Sequence, residues 1–381
     1  QALRPPQPCQ RPAAMELPKG CEGVVVAACD LDKTLYPVNG PDHARQLRAN
    51  IKAMFAFEAQ GGFVFPVTGN NLLLAQRKFQ DPDNEEAVLR DVGANPGIFT
   101  NGGLVLGPHG KEIEKHALGN LYVKDHPQGL DFVSALLDFY DSEATSSLLT
   151  NVGIFCLTPD GALIYDQAPS NGDGYAASHR VTGKRVSRQE IIARRGEVLL
   201  LLFLFPAIVA TEGRSEAEEY KATTFPWQSK VADALKERGL SNCSYKDGEV
   251  GGVGGGIELT LMKDPWPEVD VNVAGVDKGK ALSRFLQNED VLKYLGRERI
   301  DPATQVAVLG DAPNDVPMFR SVGDAQPGLR VGMPCAVDTN LLSLANMRAE
   351  VSDVLNLLCE AKQNAGAGAE AADQGGTCGV A

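Results

Sequence analysis

No C-x-x-C pair occurs in these 381 residues, and the eight cysteines and five histidines are scattered, with no cluster at zinc-ligand spacing. A structural zinc site is therefore excluded, and reduced thiols in a reducing compartment are expected. Positive charge is scarce as well. Lys and Arg number 36 against 49 Asp and Glu, for a net charge of -13. Such a chain repels a phosphate backbone, so no nucleic-acid partner is expected. The same balance disfavours a small anionic substrate unless a metal ion or local lysines reverse it. Long hydrophobic runs are missing. The longest, residues 198–210 (VLLLLFLFPAIVA), is interrupted by Pro206 and is too short to cross a bilayer. It reads as a buried strand and the turn beyond it, and no membrane partner is expected. No secretory leader and no internal repeat are visible. The expected location is cytoplasmic, or organellar if a targeting segment precedes Gln1.

The apolar content, 43% of the chain, is enough for a sizeable core, and the length suits two domains or one domain with a large insertion. Residues 1–20, rich in Pro and Gln, and 362–381, rich in Ala and Gly, are expected to be disordered tails. Between them, strands and helices alternate. VVVAAC (24–29) is continuously apolar, as in a strand covered on both faces. The following helix places Leu47, Ile51, Met54 and Phe55 at helical spacing and stops at Gly61-Gly62. A second strand ends at Thr68. The middle of the chain differs: it mixes helices with alternating strands such as GIELTLM and EVDVNV, and Ser187 with Glu190 forms a capping box. The first pattern then returns, with a strand ending at Asp311. The expected architecture is α/β: a parallel-sheet core in two pieces, 21–118 and 273–361, with an α+β unit, 119–272, inserted between them.

Three apolar strands thus end in reactive groups: Asp30 and Asp32, Thr68, and Asp311. Open parallel sheets bind ligands outside the carboxyl ends of their strands, so these groups can meet at one edge. Lys278, which begins a helix, can join them. Asp30, Asp311 and Asp315 would repel one another if crowded, and a hard divalent cation relieves this. Mg2+ prefers few carboxylates together with waters and phosphate oxygens. Asp30 can then attack an electrophilic phosphorus. Asp32 can protonate the leaving oxygen and later take a proton from water. That division of labour asks for a raised pKa at Asp32 and a low one at Asp30. Lys278 and the Thr68 hydroxyl suit the non-bridging phosphate oxygens.

DLDKTL (30–35), PVTGN (66–70), GVDKGKAL (275–282) and GDAPNDVPM (310–318), in that order, resemble the four motifs of the haloacid dehalogenase (HAD) superfamily. FTNGGLVL followed by HGKEIEKHAL is similar to the asparagine-glycine hairpin of its Cof-type members. The resemblance implies a Rossmann-like core with an α+β cap between the second and third motifs. It implies Asp30 as nucleophile, Asp32 as acid and base, and Thr68, Gly69 and Lys278 as phosphate-binding residues. It further implies Mg2+ held by Asp30, the Asp32 backbone carbonyl and Asp311, with Asn314 and Asp315 positioning metal, water or Lys278. Lys33 stands where many relatives have glycine, and Asn70 where Cof-type members often have arginine.

The expected function is Mg2+-dependent phosphomonoester hydrolysis through an aspartyl-phosphate, on a small phosphorylated metabolite such as a sugar phosphate or nucleotide, with the cap closing over the site. The alternatives are a phosphomutase or phosphotransferase on the same core, and a non-catalytic binding protein of the same fold. A P-type ion pump, suggested by DKT, would need membrane helices. GGVGGGIE reads as a flexible hairpin, because no Walker lysine follows. RKFQ (77–80) and GKRVSRQEIIARR (183–195) read as solvated faces, with Lys184, Arg185 or Arg188 as candidates to meet an anionic substrate. Oligomeric state is left open.

Overall fold

The computed structural model describes residues 15–374 except 125, 127–128, 144–145, 147, 166–168, 180–181, 212, 247, 263–265 and 324–327. Two sheets organise it. The first has five parallel strands in the order Met347–Arg348, Leu329–Gly332, Val306–Gly310, Val26–Cys29, Phe63–Pro66. Val26 lies between Val306 on one side and Phe63 on the other. The three inner strands and Phe63–Pro66 are buried along their whole length, which is why VVVAAC shows no alternation. The chain leaves Val26–Cys29 toward one edge of the sheet and later returns on its other side at Val306–Gly310. That reversal opens a crevice at the carboxyl ends of both strands, where ligands bind in sheets of this kind.

Helices cover this sheet on both faces. The helix His43–Ala59 packs beside the closing helix that begins at Val351, and Lys278–Phe285 packs beside Val316–Ser321. In the first of these helices the buried stripe is Leu47, Ile51, Met54 and Phe57. Phe55, expected on that stripe, is 50% exposed. Met54 and Phe57, three residues apart, already fill the facing groove, and Phe55 lies about a hundred degrees round the helix from Met54.

The second sheet has six strands in the order Gly183–Arg185, Gly161–Tyr165, Gly153–Thr158, Leu200–Leu204, Glu268–Val273, Ile257–Met262. It is antiparallel except at the edge, where Gly183–Arg185 runs parallel to its neighbour. Helices Phe132–Glu143 and Phe225–Glu237 close one face over Ile154, Cys156, Leu201, Phe203, Val269 and Val271. The run at 198–210 supplies Leu200–Leu204, a central strand buried on both faces. Ser187 and Glu190 do form the capping box read from the sequence. The opposite face is apolar on its two central strands (Phe155, Leu157, Leu200, Leu202) and polar on the two strands toward the Ile257–Met262 edge (Glu258, Thr260, Asp270, Asn272), and it faces the crevice of the first sheet.

The asparagine-glycine segment forms a small sheet of Gly97–Phe99, Leu104–Leu106 and Glu112–Lys115. Part of each expected tail, residues 15–20 and 362–374, is described. Met15 and Leu17 pack against the core, because apolar side chains near the end of a chain can still bury against it. The closing helix runs Val351–Gln374, well into the Ala/Gly-rich segment, where alanine's high helix propensity outweighs the glycines. Residues 1–14 and 375–381 lie outside the described residues. Among the described residues no helix is long and apolar enough to cross a membrane.

Candidate active site

Asp30 follows the last residue of Val26–Cys29, and its amide donates to the Leu309 carbonyl at 2.8 Å, so the ladder carries it onto the sheet edge beside Asp311. Oxygens of Asp30, Asp311 and Asp315 lie within 4.8 Å of one another, and all three residues are buried. Lys278 completes the cluster. Its Nζ donates to Asp30 Oδ1 and to Asp315 Oδ1, both at 2.6 Å, and it is 1% exposed. Lys280, two residues on, pairs with Asp277 at the surface. The second oxygen of Asp315 accepts from the amides of Asp311 (2.9 Å) and Ala312 (3.1 Å). Asp315 is thereby occupied as a bracket for Lys278 and for the loop that carries Asp311.

Two glycines make this closeness attainable. A Cβ on Gly279 would stand 2.2 Å from the Pro317 carbonyl oxygen, so only glycine lets the Lys278 helix lie this close to helix Val316–Ser321. A Cβ on Gly310 would stand 2.4 Å from Asp315 Oδ2.

Asp32 is held differently. Its Oδ1 accepts from Lys78 Nζ and its Oδ2 from Asn70 Nδ2. Asn70 also donates to the Thr68 hydroxyl oxygen, through its amide at 3.0 Å and its side chain at 2.9 Å. Lys78 is only 12% exposed and lies over the Tyr36 ring, 5.5 Å from its centroid. The solvated face expected for RKFQ is therefore corrected at Lys78: the last turn of helix Leu72–Lys78 points back at the sheet edge. Lys33 has φ 56°, the left-handed region that glycine occupies without strain and a lysine does not.

The electrostatics invert the expected order of the two strand-end aspartates. Burial, reinforced by repulsion from Asp315 and only partly offset by Lys278, pushes Asp30 up to about 8. Burial also works to raise Asp32, but the Lys78 ammonium and the hydrogen bonds from Lys78 and Asn70 outweigh it and hold the carboxyl below its usual range. Burial and Asp315 push Asp311 up to about 6. The ammonium of Lys278 is costly to bury, yet Asp30 and Asp315 hold its pKa above the usual lysine value. Three crowded carboxylates, two of them pushed toward their neutral forms, and one lysine make a site with spare negative charge and oxygen ligands. That donor set fits a hard divalent cation.

A cavity of about 560 Å3 joins this edge to the polar face of the second sheet. Asp30, Asp32, Lys33, Gly69, Lys278, Asp311 and Asn314 line it from one side. Thr68 is buried just behind Gly69 and Asn70, and its amide donates to the Ile98 carbonyl at 2.8 Å. Asn314 Nδ2 donates to Asn101 Oδ1 at 3.3 Å, which brings the asparagine-glycine turn into the wall. Lys184, Arg185 and Arg188 are not among the residues lining the cavity; their ion pairs are with Glu190, with Asp173, and with Asp138 and Asp141. Lys78 and Asn101 escaped the sequence reading. The one signal for Lys78 was its place at the end of a helix whose start follows Thr68 directly.

No protein-family model matches the chain, and no curated protein sequence matches it. Solved structures do. A phosphatase of the haloalkanoate (HAD) enzyme superfamily from Bacteroides thetaiotaomicron superposes with TM-score 0.53 at 19% identity, covering 92% of this chain and 98% of that one. A haloacid dehalogenase-like hydrolase from the same organism gives 0.56 at 14% identity, covering 90% and 99%. A HAD/COF-like hydrolase from Plasmodium vivax gives 0.54 at 16% identity, covering 91% and 96%. The chain therefore has the fold of the Cof-type haloacid dehalogenase-like hydrolases, a Rossmann-like parallel core joined to an α+β sheet unit.

Proposed function

We propose that the chain is a Mg2+-dependent phosphatase that cleaves a small phosphomonoester through an aspartyl-phosphate on Asp30. The observation that carries this reading is the convergence of Asp30, Asp311 and Asp315 on Lys278 at the carboxyl edge of the sheet. The likeness to HAD phosphatases and hydrolases supports it.

Asp30, Asp311 and the backbone carbonyl of Asp32 would hold Mg2+, which supplies charge neutralisation for the phosphate's non-bridging oxygens. The carboxylate of Asp30 attacks phosphorus, and the bond to the leaving oxygen breaks as Asp32 delivers a proton to it. Lys278, fixed by Asp315, and the amides after Thr68 hold the non-bridging oxygens through the transfer. Asp32 then takes a proton from a water molecule that attacks the aspartyl-phosphate, which frees phosphate and restores Asp30. A cation bound beside Asp30 favours its anionic form, and the phosphate charge raises Asp32, so ligand binding restores the order this chemistry needs.

The second sheet forms the cap side of the cavity. It presents Glu258, Thr260, Asp270 and Asn272, and among the described lining residues the cations Lys33 and Lys278 both come from the core. Hydrogen-bonding oxygens and amides without a cap-side cation suit a neutral polyhydroxyl group, so a sugar phosphate fits better than a substrate with a second anionic group. In the test, purified protein with Mg2+ hydrolyses p-nitrophenyl phosphate, and Asp30→Asn abolishes turnover while the circular dichroism spectrum is unchanged. Full activity in the variant, or an inactive wild type across a panel of phosphorylated sugars, overturns the reading.

A further inference from the structure

Both side-chain partners of Asp32 stand on one short stretch of chain, and the cap is bolted to the middle of it. Asn70 lies just before the helix Leu72–Lys78, and Lys78 ends it. Between them, Asn71 is the helix N-cap: its Oδ1 accepts from the Leu74 amide at 2.9 Å. Its Nδ2 turns the other way, donating to the carbonyls of Thr158 (2.9 Å) and Gly161 (2.8 Å) in the turn between two strands of the second sheet. The Leu73 amide adds a third bond to the same turn, to the Pro159 carbonyl at 3.0 Å. Asn71 is 1% exposed. The turn is itself braced, because the Thr158 hydroxyl donates to Asp160 at 2.8 Å and Asp160 is held by Arg194 at 2.6 Å.

The cavity lies between the two sheets, and these three bonds cross from one side of it to the other. We infer that Asn71 is a positioning residue that couples cap closure to the placement of Asp32. When the turn at 158–161 docks, its three hydrogen bonds fix the start of the helix. The fixed helix sets Lys78 and Asn70 on the two oxygens of Asp32, and the carboxyl stands where the leaving oxygen departs. When the turn lifts, that grip loosens. The inference rests on the phosphatase reading and adds to it a reason for the acid to be in place only over a bound substrate.

Asn71→Ser is the discriminating variant, since serine keeps the N-cap acceptor and loses both donors to the turn. Phenyl phosphate and p-nitrophenyl phosphate are close in size but unequal in their need for a proton at the leaving oxygen. Loss of two hydrogen bonds is expected to lower kcat/KM about tenfold on phenyl phosphate and about twofold or less on p-nitrophenyl phosphate. A merely structural role would lower both alike. Equal losses, or none on either, overturn the coupling while leaving the phosphatase reading intact. A wild type inactive on both overturns the phosphatase reading itself, and the coupling with it. Should the variant fail to fold, the wild type still decides the matter by hydrogen exchange. The Leu73 amide should exchange more slowly with Mg2+ and inorganic phosphate bound than without them, and unchanged exchange overturns the coupling.

Discussion

Replacing Asp30 with asparagine removes the proposed nucleophile, and it should also make the metal-free protein more stable. Burial and Asp315 push the Asp30 carboxyl from its usual 3.8 to about 8. Between those values the folded protein keeps a proton on Asp30 that the unfolded chain releases. Stability is therefore fully present below about pH 4 and declines as pH rises toward 8. At pH 7 the difference is about three pH units above 3.8, worth about 4 kcal/mol at 1.36 kcal/mol per unit. Asparagine escapes that cost, and its side-chain oxygen can still accept from Lys278, but it buries an amide group where a carboxyl oxygen stood, and an unsatisfied buried donor costs about 1–3 kcal/mol. The net expectation is a gain of about 1–3 kcal/mol at pH 7, narrowing or reversing near pH 4. Urea denaturation with a chelator present, run at both pH values on both proteins, measures it. A variant equal to or weaker than wild type at pH 7, or a gap that does not narrow at pH 4, refutes the reasoning that Asp30 is a strained, metal-seeking carboxylate.

Lys33→Gly should raise stability in denaturant by about 1 kcal/mol, because glycine accepts φ 56° without the left-handed penalty; a loss of stability would contradict this. Gly279→Ala should lower activity at least tenfold and cost about 2 kcal/mol or more by the same assay, since its Cβ would press on the Pro317 carbonyl and displace Lys278; a neutral outcome would mean that helix is not seated as described. Lys78→Met should change stability by no more than about 1 kcal/mol, as the carboxylate it pairs with is half exposed, yet lower kcat/KM on phenyl phosphate several-fold; unchanged kinetics would remove Lys78 from the site.

Much of the core was legible because its information is local. Each strand of the parallel sheet that carries a site residue is an apolar run that stops at a polar group, and the strand ends of one sheet necessarily share an edge. That logic brings Asp30, Thr68 and Asp311 together without any knowledge of side-chain contacts. Lys78 was illegible for the opposite reason: whether a lysine in the last helical turn meets solvent or Asp32 depends on how the helix is aimed, and the cap turn at 158–161 sets that aim. The pKa order of Asp30 and Asp32 failed in the same way, since it depends on Lys78 and on how completely Asp30 is buried. In the cap, the strands were readable from GIELTLM and EVDVNV, but their order was not. Leu200–Leu204 pairs with Gly153–Thr158 and Glu268–Val273, partners more than forty and sixty residues away, through registers that alternation alone does not specify. The helix beyond residue 361 was hidden by composition, because Ala/Gly-rich sequence reads equally as helix or as tail.

In the proposed reaction Asp30 carries the phosphoryl group. Rapid mixing of the protein with Mg2+ and substrate, an acid quench, and mass-spectrometric mapping of the peptide tests it most directly. A single acid-stable, hydroxylamine-labile phosphate on Asp30 is expected. Steady turnover with the phosphate on another residue, or with no phosphoenzyme formed at any mixing time, would contradict it.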